Sequence, residues 1–218
     1  MLSLAILLPL AAAAVLALAP ALPAHAGRYA FAGVAGVELV LAGVLWAGYR
    51  APGPGGLAFE ERLRWIPNVG SSYHLGLDGL SLPLVALTAV IFLACAVYDW
   101  AAADRARSRS ALFLFLEATC LGLFAAQDLI LFFLFFDLSI VGMYFVIAGW
   151  GHGDRARSAL KFFLYTFLGS IALLVGFIGL YLGARPHTFD IPELVAAAPG
   201  AAAPSEGSSL RPSSWAWR

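Results

Sequence analysis

Charge is what this 218-residue sequence has least of: 12% of its residues are charged, against 61% hydrophobic. A soluble domain carries about 25% charged residues. A chain with half that share cannot cover its surface with water-facing groups, so a soluble globular enzyme is excluded. Thirteen acids match thirteen bases, which leaves neither a basic field to hold nucleic acid nor an acidic one to hold cations. Cysteine is nearly absent. Cys95 and Cys120 both lie inside apolar runs, as small packing residues rather than exposed thiols or halves of a zinc site. Lysine occurs once, at position 161, beside twelve arginines. Also missing are a glycine-rich phosphate loop, a His/Cys metal constellation and a Ser-His-Asp arrangement. No nicotinamide, flavin or iron–sulfur site can be assembled, and no cofactor or metal is expected to be bound by this chain.

What is abundant is uninterrupted hydrophobicity, with a mean hydropathy of +0.86, too apolar for disorder. A bilayer core of about 30 Å takes about 20 residues of helix. Six stretches meet that requirement: 2–22, 29–49, 82–100, 111–126, 129–150 and 159–183. The runs are continuous rather than alternating, unlike barrel strands, and backbone groups in lipid must be paired inside their own segment. The expected fold is an all-α polytopic membrane protein, with a six-helix transmembrane bundle over 1–183 and a polar Ala/Pro/Ser/Gly-rich tail over 184–218. Ala24-His25-Ala26 resembles a cleavage site. The segment Met1–Pro9 has no basic residue, however, and its apolar run exceeds a signal-peptide core, so the first helix is expected to be retained. Arg28, Arg105, Arg107, Arg109, Arg155, Arg157 and Lys161 flank the turns after the odd-numbered helices, against Arg50, Arg62, Arg64 and Arg185 on the other face. The positive-inside rule then puts the N-terminus outside and the odd turns in the cytoplasm.

Two helices carry stripes of small residues: Gly169, Ala172, Gly176, Gly179 and Gly183 on the sixth, and Gly33, Gly36, Gly43 and Ala47 on the second. Glycine costs about 1 kcal/mol in a helix, and in lipid small side chains permit close helix approach, so a packing role is expected. The segment from Arg50 to Ser81 is the longest connector and reads either as a loop docked on a neighbour or as a solvated linker. Asp78-Gly79 is a turn signal, with Ser81 as the expected N-cap of the third helix.

Three acids stand where acids are expensive. Asp137 and Glu117 sit inside apolar runs, each ten residues from the turn at Gln127-Asp128, or about 15 Å deep. An ionised acid at the bilayer centre costs about 2.5–3.5 kcal/mol on insertion scales, and its default reading is functional. Two carboxyls at one depth on sequential antiparallel helices make a pair of proton stations, because burial and a mobile cation move a carboxyl's proton affinity in opposite directions. Glu38 is as deep but has no charged neighbour in the sequence pattern, and is read as neutral and structural. Lys161 can lose its proton when desolvated, or can snorkel from the start of the sixth helix.

Several blocks in fixed order then become specific. Trp65-Ile-Pro, Tyr73-His-Leu-Gly-Leu-Asp-Gly-Leu-Ser-Leu-Pro83, Ala126-Gln-Asp-Leu, Phe135-Phe-Asp-Leu, Met143-Tyr-Phe, Gly149-Trp-Gly and Lys161-Phe-Phe-Leu-Tyr-Thr166 resemble the antiporter-like membrane-arm subunits of proton-pumping NADH–quinone oxidoreductase (respiratory complex I), chain M above all. The similarity runs over about residues 60–193. It implies a multi-pass subunit of the bacterial inner membrane that translocates protons. It would be driven by NADH oxidation and quinone reduction in sister membrane-arm subunits, its partners beside the lipid bilayer; no nucleic acid is implied. Asp137 takes the place of the family's glutamate on the fifth helix, one methylene shorter. Glu117 matches a carboxylate on the fourth helix and Lys161 a basic position opening the sixth. The resemblance also implies about fourteen helices. Six are seen here, and Ala/Pro/Ser/Gly-rich sequence follows Val195, so a truncated or frame-shifted form is expected. Two other readings stand beside this one: a subunit of a related cation/proton antiporter or membrane hydrogenase, and a structural or assembly fragment that moves no protons.

Overall fold

The computed structural model describes residues 1–19, 23–50, 56–66, 70–100, 106–184 and 187–197. The Pro/Gly stretch at 51–55, Arg105, Arg185 and the end of the chain from 198 lie outside them. The element order is α1 (Leu2–Leu18), α2 (Ala24–Gly48), β1 (Ala58–Ile66), β2 (Ser71–Leu77), α3 (Ser81–Asp99), α4 (Ala106–Ala125), α5 (Leu129–Trp150), α6 (Arg155–Gly183) and a short α7 (Ile191–Ala197). Among the described residues five helices, α2 to α6, are long and apolar enough to cross a membrane, and α1 is a shorter apolar helix of 17 residues. The molecule is a membrane protein built on one helical bundle.

Three helices begin earlier than the apolar runs suggest: α2 at Ala24 rather than 29, α4 at Ala106 rather than 111, α6 at Arg155 rather than 159. Hydropathy marks only the stretch matched to lipid. The preceding turns hold Arg28, Arg107, Arg109, Arg155 and Arg157, and arginine is a good helix former. These turns gather at one end of the bundle, the arginine end, where Arg109 pairs with Asp99.

The opposite end is capped by a feature that helix counting misses. The connector folds into an antiparallel hairpin, with Leu63 opposite Tyr73 and Arg62 opposite His74. Phe59 has a positive φ of 55° within a register shift between Ala58 and Glu61. The expected cap at Ser81 is corrected. Asp78 Oδ1 accepts the amide of Leu80 at 2.9 Å and that of Ser81 at 2.6 Å, so the carboxylate of the turn caps the helix. Residues 188–190, assigned to the polar tail on composition, are buried. Phe189 stacks on Tyr181 at 4.5 Å between ring centroids.

Two apolar clusters hold the bundle. At the hairpin end Leu2, Ile6, Leu45, Leu75, Leu77, Leu82, Val85, Leu121, Leu131 and Phe135 pack together. At the arginine end the cluster is Ala13, Leu16, Phe31, Ala35, Ala96, Ala111 and Leu114. The glycine stripes have no part in either: a Cβ built on Gly33, Gly36, Gly43, Gly169, Gly176, Gly179 or Gly183 meets nothing within 4 Å. The expected packing role is therefore not fulfilled within the described residues. The close approaches occur elsewhere, at Gly122 against the Phe135 ring and at Gly142 against Leu116.

Candidate functional site

The depth of each candidate follows from which helices touch and where. α2 and α4 run in the same direction. Near the arginine end a Cβ on Gly27 would lie 2.8 Å from Arg107 Cα, and Phe31 stacks on Phe113 at 5.7 Å. Towards the hairpin end Leu45 and Leu121 share one cluster. From the Gly27–Arg107 contact, Glu38 lies eleven residues along α2 and Glu117 ten along α4. These distances are about 16 and 15 Å, so the two carboxyl-bearing residues are level. Both belong to the buried stripes of their helices: Phe31, Ala35, Glu38, Ala42 and Leu45 on α2, and Ser110, Leu114, Glu117 and Leu121 on α4. Glu38 is 2% exposed and Glu117 0%. Glu38 therefore has another acid level with it on a touching helix, and the sequence expectation that it has no charged neighbour is corrected. Among the described residues no hydrogen bond reaches either oxygen of Glu117 or Oε1 of Glu38.

α5 runs antiparallel to α4. Gly122 meets Phe135, and Gly142 meets Leu116, so Asp137 comes level with residues 120–121. It therefore lies about one turn, or ~5 Å, nearer the hairpin end than Glu117, and the expectation of a single depth holds only to within that turn. Asp137 is half-buried, with Oδ1 unpartnered among the described residues. Lys161 is further away. Tyr144 meets Phe163 at 5.7 Å, and Phe132 meets Phe177 at 6.1 Å, which sets Lys161 near residue 147 of α5. That is ten residues, or about 15 Å, towards the arginine end from Asp137, and its side chain is exposed. The structure thus brings Glu38 and Glu117 together, puts Asp137 a turn away and leaves Lys161 apart. No group of His, Cys, Asp and Glu able to hold a metal ion occurs among the described residues.

A second polar cluster sits at the hairpin end, outside the apolar layer. Asp128, fully buried, caps α5 by accepting the amides of Ile130 (2.9 Å) and Leu131 (3.2 Å), and also accepts Ser71 Oγ (3.0 Å) and Ser72 N (2.9 Å). His74 lies between Asp190 Oδ2 (2.6 Å from Nδ1) and Glu60 Oε1 (3.0 Å from Nε2). Arg62 reaches Asp190 at 3.2 Å and Glu193 at 3.0 Å. Its hydrogen bond holds the Glu193 carboxyl below the usual glutamate range. Sequence reasoning missed these roles, although an Asp just before an apolar helical run is a recognisable capping signal.

The arrangement is one of acids spaced through a helical membrane bundle. Residues 126–210 match the family model described as "NADH:quinone oxidoreductase/Mrp antiporter, TM". The chain is 38% identical over 192 residues to NAD(P)H-quinone oxidoreductase chain 4 of Gloeobacter violaceus, which covers 88% of this chain and 36% of that protein. It is also 38% identical over 200 residues to NADH-quinone oxidoreductase subunit M of Rhodobacter capsulatus, covering 89% and 38%. This chain belongs to the antiporter-like membrane-subunit family. Its fold agrees with that assignment. A chain of respiratory complex I from Thermus thermophilus, solved with bound NADH, superposes with a TM-score of 0.78 at 30% identity, covering 91% of this chain and 40% of that one. The chain spans less than half the length of these antiporter-like relatives.

Proposed function

We infer that this chain is a proton-translocating piece of a membrane-arm subunit of an NADH–quinone oxidoreductase in the bacterial inner membrane. Sister subunits would oxidise NADH and reduce quinone, and this chain would carry protons while holding no cofactor of its own. The observation that carries the reading is Glu117, wholly buried halfway along a membrane-spanning helix, with neither oxygen hydrogen-bonded among the described residues. An acid kept there without a partner costs stability and is retained for what it does. Protonated it is neutral and tolerable in the apolar layer; ionised it calls for a nearby cation. A change in its surroundings between those states is a proton uptake or release. Asp137, a turn nearer the hairpin end, is the next station, and Lys161 supplies a cation towards the arginine end.

The test replaces Asp137 by Asn and, separately, Glu117 by Gln in the complex purified from native membranes and reconstituted in vesicles. NADH-driven acidification, followed with a pH-sensitive dye, is expected to fall about a hundredfold or more, the scale on which a positioned proton-transfer group contributes. Asp137→Glu is expected to retain pumping. Unchanged pumping in both neutral variants overturns the proposal and leaves a structural or assembly role. The subunits that co-purify with the chain separate a quinone-reducing complex from a cation/proton antiporter or a membrane hydrogenase.

A further inference from the structure

Glu38 has no place in the pathway just described, yet it shares the burial of Glu117 and lies level with it across the α2–α4 contact. The groups around the pair can be named from every packed helix. α3 contributes Cys95 and Asp99, the latter paired with Arg109. α4 adds Cys120, α5 brings Asp137 a turn away, and α1 carries no ionisable side chain. Among the described residues no ion pair compensates either acid. Two carboxylates level on touching helices in an apolar layer repel each other when both are ionised, and each has lost its water. Such a pair titrates as a unit rather than as two independent acids.

We propose that Glu38 and Glu117 form one shared proton store, which makes Glu38 a proton-carrying residue and extends the pathway onto α2. Starting with one carboxyl protonated and the other ionised, the pair takes up one proton: one O–H bond forms, and the charge goes from minus one to zero. Release reverses the step. The proton held can reside on either residue, so α2 and α4 offer alternative exits from a single site. This rests on the proton-translocating role inferred above.

The test follows the carboxylic C=O stretching bands by infrared difference spectroscopy, titrated with pH, on the whole complex purified from its native membrane. Glu38→Gln is expected to move the midpoint of the Glu117 band by about one pH unit or more, the threshold for coupled sites. Glu117→Gln is expected to move that of Glu38 equally, since coupling is reciprocal. NADH-driven pumping is expected to drop in Glu38→Gln and to recover in Glu38→Asp. A Glu117 band that stays in place in Glu38→Gln overturns the proposal. So does a shifted band with undiminished pumping, which reduces Glu38 to a bystander charge. If Glu38→Gln does not assemble, the Glu117→Gln titration decides alone, and an unmoved Glu38 band overturns the proposal. Loss of pumping in Glu117→Gln alongside full pumping in Glu38→Gln removes this inference and leaves the wider reading standing. Full pumping in Glu117→Gln and Glu38→Gln removes this inference, and the wider reading falls with it only when Asp137→Asn also pumps fully.

Discussion

Asp128 satisfies four donors with two oxygens, two of them at the start of α5 and two on the hairpin. Its replacement by Ala takes away a helix cap and leaves buried donors unpaired, together worth about 2–3 kcal/mol. Faster hydrogen exchange at the Ile130 and Leu131 amides is the expected signature, with lower thermal stability of the chain. Arg62 acts at the same end. Because its hydrogen bond depresses the proton affinity of Glu193 in the folded state, that contact contributes stability above the ordinary glutamate range. The contribution is lost only as pH falls through the depressed value. Arg62→Gln should therefore let residues 187–197 detach at a higher pH on acidification, read by hydrogen exchange of that segment across a pH series. Individual acids differed in how legible they were. A charge inside an apolar run announces itself, so Asp137 and Glu117 were found on sequence. Which way a helix turns does not, so the neighbour of Glu38 emerged only from the contact of Gly27 with Arg107.

At the scale of elements, the helices were legible and the hairpin was not. Apolar runs of bilayer length have one solution in lipid, whereas β1 is polar, bulged and mostly exposed, with no alternation to mark it. Its partner β2 is held by long-range bonds that no local pattern encodes: Gln127 N donates to the His74 carbonyl at 2.8 Å, and Gln127 Nε2 to that of Gly76 at 3.2 Å. The α4–α5 contact is equally opaque in sequence, since the glycines that matter are isolated ones rather than the stripes. A Cβ on Gly122 would sit 2.5 Å from the Phe135 ring, inside the hairpin-end cluster. Gly122→Val is expected to destabilise the chain by about 1–3 kcal/mol through overpacking, measured by thermal unfolding in detergent, while Gly122→Ala has the smaller effect.

Across the whole molecule, burial is uneven. α4 is covered on most sides, but α6 has only Ala159 and Ser170 buried, and its glycines face open space. Gly176→Leu is therefore expected to leave unfolding of the chain unchanged. A fall in co-purified subunits in the same variant would locate a protein neighbour along α6. The hairpin end behaves differently. There β2, the Gln127-Asp128 turn and residues 188–191 are laced together by Asp128, by Leu129 N on the Phe189 carbonyl at 2.9 Å and by Ile191 N on the Gln127 carbonyl at 2.9 Å. The elbow between α4 and α5 is thus a fixed fulcrum. Any swing of α5 pivots about Leu129 and grows with distance along the lever, small beside Asp137 and widest at Trp150, where the chain turns into α6.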